Sequence, residues 1–119
     1  MLMFYLQKGI KMLVYLATPY THSDYSVMVK RFEKVNQIAA KLMSQGIHIY
    51  SPISHTHPIS EIGNLPKTWD YWEEYDRKIL AVCGKLMVYK QDGWEKSVGV
   101  QAEIKIAQEL NLPIEFIDD

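Results

Sequence analysis

Cysteine is nearly missing from this chain. Cys83 is the only one in 119 residues, so no intrachain disulfide forms and a reducing cytoplasm is the expected compartment. An excess of charge of either sign is missing too: 13 Lys and Arg stand against 14 Asp and Glu. No basic surplus invites polymeric nucleic acid, and no acidic tail suggests disorder. Repeats, low-complexity runs and Gly/Ser linkers are absent. The apolar start, "MLMFYLQKGIKMLVYLATPY", is broken by Lys8 and Lys11 and carries no small-residue cleavage site, so neither a signal peptide nor a membrane span is expected. Residues 1–11 read as an extension ahead of a domain that starts at Met12. No Walker loop occurs and no G-x-G-x-x-G follows a strand, which removes the main support for ATPase and dinucleotide readings.

What is present is a globular composition, 48% hydrophobic, enough for one domain with a real core. "MLVYLA" (Met12–Ala17) reads as a strand ending at Thr18-Pro19. A helix is expected from Asp24 to Gln45, with Phe32, Val35, Ile38, Ala39 and Leu42 as its stripe and Gly46 just past its end. "IHIY" (Ile47–Tyr50) is a second strand. Residues 51–68 hold three prolines and a glycine and read as a long binding loop or lid. A helix over Trp69–Cys83, a strand over Lys85–Lys90, a helix opening at Ser97 and a strand near Ile114–Ile117 complete the pattern. The order β-α-β-α-β-α-β predicts an α/β fold: one three-layer domain with a doubly wound, mainly parallel sheet, Rossmann-like and of flavodoxin-like order. Ligands in such sheets bind beyond the carboxyl ends of the strands, here "ATPY", "YSPISH" and "YKQDGW".

Two acids fall on apolar stripes. In "WEKSVGVQAEIKIAQELN" the stripe is Val100, Ile104, Ala107 and Leu110, and Glu103 sits beside it rather than with Lys105 and Glu109. In "WDYWEEYDRKILAVC" the stripe is Trp69, Trp72, Ile79 and Cys83, and Asp76 lies one turn from both Trp72 and Ile79. Either alone also fits a snorkelling or structurally bonded acid. Two of them in one dry pocket would give one ionised nucleophile and one proton donor. Tyr15, in the first strand, can hydrogen-bond and orient a carboxylate at that edge, or serve as an ordinary core tyrosine. Ser97 is a good N-cap and Gly99 allows close approach to the helix start, a pairing that suits an anion such as phosphate and equally a plain cap. His55 and His57 lack a third ligand at a fixed spacing, so hydrogen bonding or ligand contact is expected of them and no metal. Cys83 reads as a core thiol.

The strand "VYLATPY", the helix "YDRKIL" and the helix "SVGVQAEIKIA", in that order and spacing, resemble the nucleoside 2-deoxyribosyltransferase superfamily over residues 12–118, more narrowly its small, often phage-borne branch. The resemblance implies that Glu103 attacks the anomeric carbon and expels the base, that Tyr15 orients Glu103, and that Asp76 handles the proton on the leaving base. By their place after the strand ends and at the helix start, Thr18, Pro19, Tyr20, His55 and His57 are expected with Ser97 and Gly99 among the substrate or phosphate contacts. Base-exchanging members carry an aspartate, holding the sugar 5′-hydroxyl, where this chain has Ser97. A serine at a helix N-terminus welcomes a 5′-phosphate that an aspartate would repel. The chain also lacks the glycine that usually follows the family glutamate by two positions, Lys105 standing there, so helix packing or subunit contact is expected to differ.

The resulting expectation is a cofactor-free hydrolase of the N-glycosidic bond of a (deoxy)nucleoside 5′-monophosphate. It would be cytoplasmic and homo-oligomeric, a dimer or higher, with a small-molecule nucleotide or nucleoside as partner and neither nucleic-acid polymer nor membrane. Base exchange between nucleosides, hydrolysis of an NAD-like or signalling nucleotide, and nucleotide binding without catalysis remain open on the sequence.

Overall fold

Alternation within the strands sets the layers. In β1 (Leu13–Ala17), Val14 and Leu16 point to one face of the sheet, Tyr15 and Ala17 to the other. β3 (Lys85–Tyr89) repeats this with Met87 and Tyr89 opposite Leu86 and Val88. Each face is apolar, so each must be covered, which is why the sheet is parallel and its helices lie on both sides. The computed structural model describes residues 12–118. The extension expected at residues 1–11 lies outside them.

The four strands, with β2 (His48–Tyr50) and β4 (Ile114–Ile117), are all parallel in the order β2-β1-β3-β4. Helix α1 (Tyr25–Ser44) covers one face through Val35, Ile38 and Ala39, which meet Val14, Leu16, Ile49 and Met87. The other face is covered by α3 (Trp69–Ala81) and α4 (Val98–Glu109) through Leu80, Val100, Ile106 and Ala107. Burying each large aliphatic side chain contributes about 1.5–3 kcal/mol, so both faces are needed for stability. The expected flavodoxin-like α/β architecture is the one observed.

Helix ends follow local chemistry. Asp24 caps α1 by accepting from the Ser26 N–H at 2.9 Å. Gly46, at φ 86°, takes the left-handed conformation beyond its end, and the Ile47 N–H closes back on the Leu42 carbonyl at 3.2 Å.

One expectation is overturned. Residues 51–68 are not a long loop: α2 (Pro52–Gly63) occupies most of them. Proline density suggested a loop, yet Pro52 stands at the first helical position, where its missing N–H loses nothing and its fixed φ suits the helix. Pro58 lies inside the helix and Pro66 beyond its end. Asn64, left-handed at φ 52°, stops it. The true connection to α3 is therefore only residues 64–68. Smaller corrections follow from the ends of helices. Leu110 falls just past α4 and is exposed, while Ile106 takes its expected place in the core.

Candidate active site

The carboxyl ends of β1, β2 and β3 open into one cavity of about 650 Å³. Thr18 and Tyr20 follow β1, Pro52 follows β2, and Asp92 and Gly93 follow β3 on its wall. The N-terminal turn of α4 supplies Ser97 and Gly99, and α3 supplies Trp69 and Trp72. Both suspect acids, Asp76 and Glu103, reach this same wall from different helices.

Glu103 is 6% exposed and Asp76 is 8% exposed. Tyr15, fully buried on β1, donates its phenol hydrogen to Oε2 of Glu103. Burial pushes the Glu103 carboxyl up to about 8, the nearby Asp76 charge adds to that rise, and the phenol opposes it. Burial alone pushes Asp76 up to about 7. Its Oδ1 is buried without a hydrogen-bond partner among the described residues. Two carboxyls titrating this close together hold about one proton between them near neutral pH. Depth of burial favours keeping that proton on Glu103. The phenol acts the other way, because it stabilises a carboxylate at Glu103 and offers nothing to Asp76. Tyr15 itself is held far above its ordinary pKa, first by burial and then by the two acids, so it remains a donor.

Ser97 caps α4, its Oγ accepting from the Val100 N–H at 3.2 Å. The N–H groups of Val98 and Gly99 lie ahead of the helical ladder, beside the cavity. A Cβ at Gly99 would meet only the Trp69 ring, at 3.6 Å. The protein's own packing therefore does not demand glycine there. Lys96 and Arg31 bring positive charge to the same wall. Arg31 donates to the Thr21 and Asp92 carbonyls, each at 3.1 Å, which ties the loop after β1 to the turn after β3. Gly93, at φ 91°, makes that turn possible.

The remaining residues singled out in the sequence separate. Pro19 is buried off the cavity wall. His57 is buried too; it stacks on Phe32, with ring centres 4.3 Å apart, and shares a hydrogen bond with the Tyr20 hydroxyl. It lies off the cavity wall and holds Tyr20, which is the hydrogen bonding expected of it as the alternative to ligand contact. His55 faces a different hollow of about 470 Å³, with its Nε2 3.4 Å from the Tyr75 hydroxyl, so it is not part of this cavity either. The two histidines are not brought together, and no group of three or more His, Cys, Asp or Glu among the described residues is placed to hold a metal ion. Cys83 is a buried thiol, pushed up to about 11 by burial.

A family profile, "Domain of unknown function (DUF1937)", matches residues 12–118. The chain belongs to the DUF1937 family. No curated protein matches it. The match spans every element of the sheet and both acid-bearing helices, so the residues that line the cavity all lie within it. No described helix is long and apolar enough to cross a membrane.

Among the residues that sequence reasoning missed, three shape the site. Gln91 is buried and donates to the Thr18 Oγ1 at 2.8 Å and to the Arg31 carbonyl at 3.0 Å, bracing the loop after β1. Its signal was available: an amide directly beyond the strand end "VYK". Arg31 sits in the second turn of α1, where a cation looks like a solvated face, and only the fold carries it to the cavity. Trp72 was assigned to a core stripe, but its Nε1 donates to the Pro66 carbonyl at 2.9 Å and the residue lines the cavity.

Proposed function

We propose that this DUF1937 protein hydrolyses the N-glycosidic bond of a nucleoside or deoxynucleoside 5′-monophosphate, releasing the free base. The observation that carries the reading is the buried Tyr15–Glu103 hydrogen bond with Asp76 on the same cavity wall. The resemblance of "VYLATPY", "YDRKIL" and "SVGVQAEIKIA" to the nucleoside 2-deoxyribosyltransferase superfamily supports it independently.

The chemistry is a double displacement. Tyr15 holds Oε2 of Glu103, leaving Oε1 to attack the anomeric carbon. The glycosidic C–N bond breaks as the base takes the proton of Asp76, and the sugar is left as an ester of Glu103. Asp76, now a carboxylate, takes a proton from water as the water oxygen attacks the same carbon. The ester bond breaks, Glu103 returns as a carboxylate and Asp76 is again protonated. One water is consumed per bond cleaved. The low dielectric that raises both acids also strengthens their interaction with the positive charge that develops on the sugar.

The phosphate is assigned to the α4 terminus. The Val98 and Gly99 N–H groups, the Ser97 hydroxyl as a donor and the positive end of the helix favour an anion there, and Lys96 adds charge. The cavity of about 650 Å³ has room for a nucleotide. No cofactor is required by this route.

Chromatography of the products tests it. The protein is offered a panel of nucleosides and their 5′-monophosphates, ribo and deoxy, with and without a second base. Release of base from monophosphates without an acceptor is the expected result. Base exchange on plain nucleosides would make the protein a transferase, and no release from any member would overturn the reading.

A further inference from the structure

Buried polar side-chain atoms find hydrogen-bond partners almost without exception. Among the described residues two lack one, the Tyr50 hydroxyl and Oδ1 of Asp76. Tyr50 packs against the core cluster that contains Tyr15 and Leu80, and Leu80 lies on α3, the helix that carries Asp76. Tyr50 ends β2, and Asp76 lies two turns into α3. Burial raises the Tyr50 phenol well above its ordinary pKa, with Tyr75 next, as a charge and as a loose hydrogen-bonding neighbour, and the Asp76 charge is felt there as well. Tyr75 is one partner open to the phenol, but turning to Asp76 satisfies the buried donor and the buried acceptor in one event. Either the phenol turns onto Oδ1, or a single water joins them, accepting from the phenol and donating to the carboxyl. Hydrogen bonds at such sites commonly tighten only when a ligand is bound.

The sheet register makes this pairing more than a coincidence. Tyr50 is the direct partner of Tyr15 across the β1–β2 ladder, and their ring centres are 6.1 Å apart. Tyr15 already holds Glu103. Two neighbouring strands thus present two phenols, side by side, behind two carboxyls that arrive from two neighbouring helices. Tyr50 does not line the large cavity, whereas Asp76 does. A role for Tyr50 is therefore exerted through Asp76.

We infer that Tyr50 is a positioning residue for Asp76: its hydroxyl donates to Oδ1, directly or through one water, so that the Asp76 proton is confined to Oδ2 and faces the departing base. This rests on the reading of Asp76 as the proton donor. The arrangement divides the work. Tyr15 selects which oxygen of Glu103 attacks, and Tyr50 selects which oxygen of Asp76 carries the proton. The titratable groups that feel Asp76 are Tyr15 from β1, Tyr50 from β2 and Glu103 from α4, and Tyr75, on the same helix as Asp76, acts on Tyr50. Arg31 and Lys96 stand elsewhere on the cavity wall.

Tyr50→Phe removes only the hydroxyl. Its effect is read by carboxyl carbon NMR on aspartate-labelled protein, with the Asp76 signal identified by its loss in Asp76→Asn. Losing a donor to the carboxylate raises the Asp76 midpoint, by about one pH unit. Base release falls through kcat with KM nearly unchanged, and its pH profile moves the same way. Tyr25→Phe, which removes an exposed phenol bonded to Glu61, leaves the Asp76 midpoint in place. An unmoved midpoint in a folded Tyr50→Phe protein overturns the inference. If that variant does not fold, a crystal structure of the unaltered protein decides. A phenol or bridging water on Oδ1 upholds the pairing, and a Tyr50 hydroxyl bonded elsewhere refutes it. The two claims fail separately. A shifted midpoint in a protein that releases no base keeps the pairing and removes the glycosidase reading. Base release with an unmoved midpoint does the reverse.

Discussion

Tyr15 and Glu103 stand 88 residues apart in the chain and share one buried hydrogen bond. The bond ties a central strand to the last helix, in the buried core. A core tyrosine needs a polar partner for its hydroxyl, and a helical glutamate facing the core needs a donor. Each answers the other, and the result is a carboxyl held by one oxygen on the wall of a cavity.

Replacing Glu103 by Gln keeps the shape and the acceptor for Tyr15 but removes the nucleophile. Base release is expected to fall on the order of a thousandfold or more. Nucleotide affinity, measured by calorimetry, is expected to stay within about threefold. A variant that loses affinity and stability together, with turnover per folded molecule unchanged, would assign Glu103 a structural role only.

Asp76→Asn removes the proton donor. General-acid catalysis contributes about a hundredfold to ten-thousandfold, and the loss should depend on the leaving group. Bases that depart readily without protonation should suffer little, and poor leaving groups most. Equal losses across a series of bases would remove Asp76 from this role.

Ser97→Asp tests the phosphate site without disturbing the fold, because aspartate is as good an N-cap as serine. The new charge meets the phosphate at close range. KM for 5′-monophosphates is expected to rise about tenfold or more, while plain nucleosides lose nothing. Unchanged discrimination would place the phosphate elsewhere.

How much of this was legible in the sequence follows from what each residue depends on. Glu103 and Asp76 were legible because helical periodicity is local: a charge on an apolar stripe is visible without knowing what the stripe meets. The strands were legible through their apolar alternation, and Ser97 through its cap position. Helix α2 was hidden, since prolines mark loops on average and only their positions in the helix, Pro52 at its start, make them compatible with one. His57 and Tyr20 are 37 residues apart, and their bond could not be seen before the loop after β1 was placed against α2. Tyr50 was hidden for a different reason. Its part depends on register, on standing opposite Tyr15, and register is a property of two strands at once.

The acid pair also predicts how stability varies with pH. Asp76 rises from an ordinary 3.8 to about 7 and Glu103 from 4.5 to about 8 on folding. Both acids bind protons more tightly in the folded chain. Their contribution is complete below the unfolded values and is lost as pH rises through about 7 and about 8. Urea unfolding should therefore show stability falling between these limits, with a slope of up to about 1.4 kcal/mol per pH unit for each proton. The double variant Asp76→Asn/Glu103→Gln should flatten that slope. A native protein whose stability is level over the range would mean that the pair is not raised.

Activity should follow the same pair. The competent form holds one proton, so base release is expected to be bell-shaped in pH, with its maximum between the two steps of the pair, near pH 7–8.

The most direct measurement is peptide mapping by mass spectrometry after incubation with a C2-fluorinated nucleoside 5′-monophosphate. The fluorine withdraws electrons from the anomeric carbon and slows loss of the ester, so the sugar is caught where it was transferred. The account predicts one sugar phosphate per chain, attached at Glu103. Base release with no adduct, or an adduct on any other residue, would contradict it.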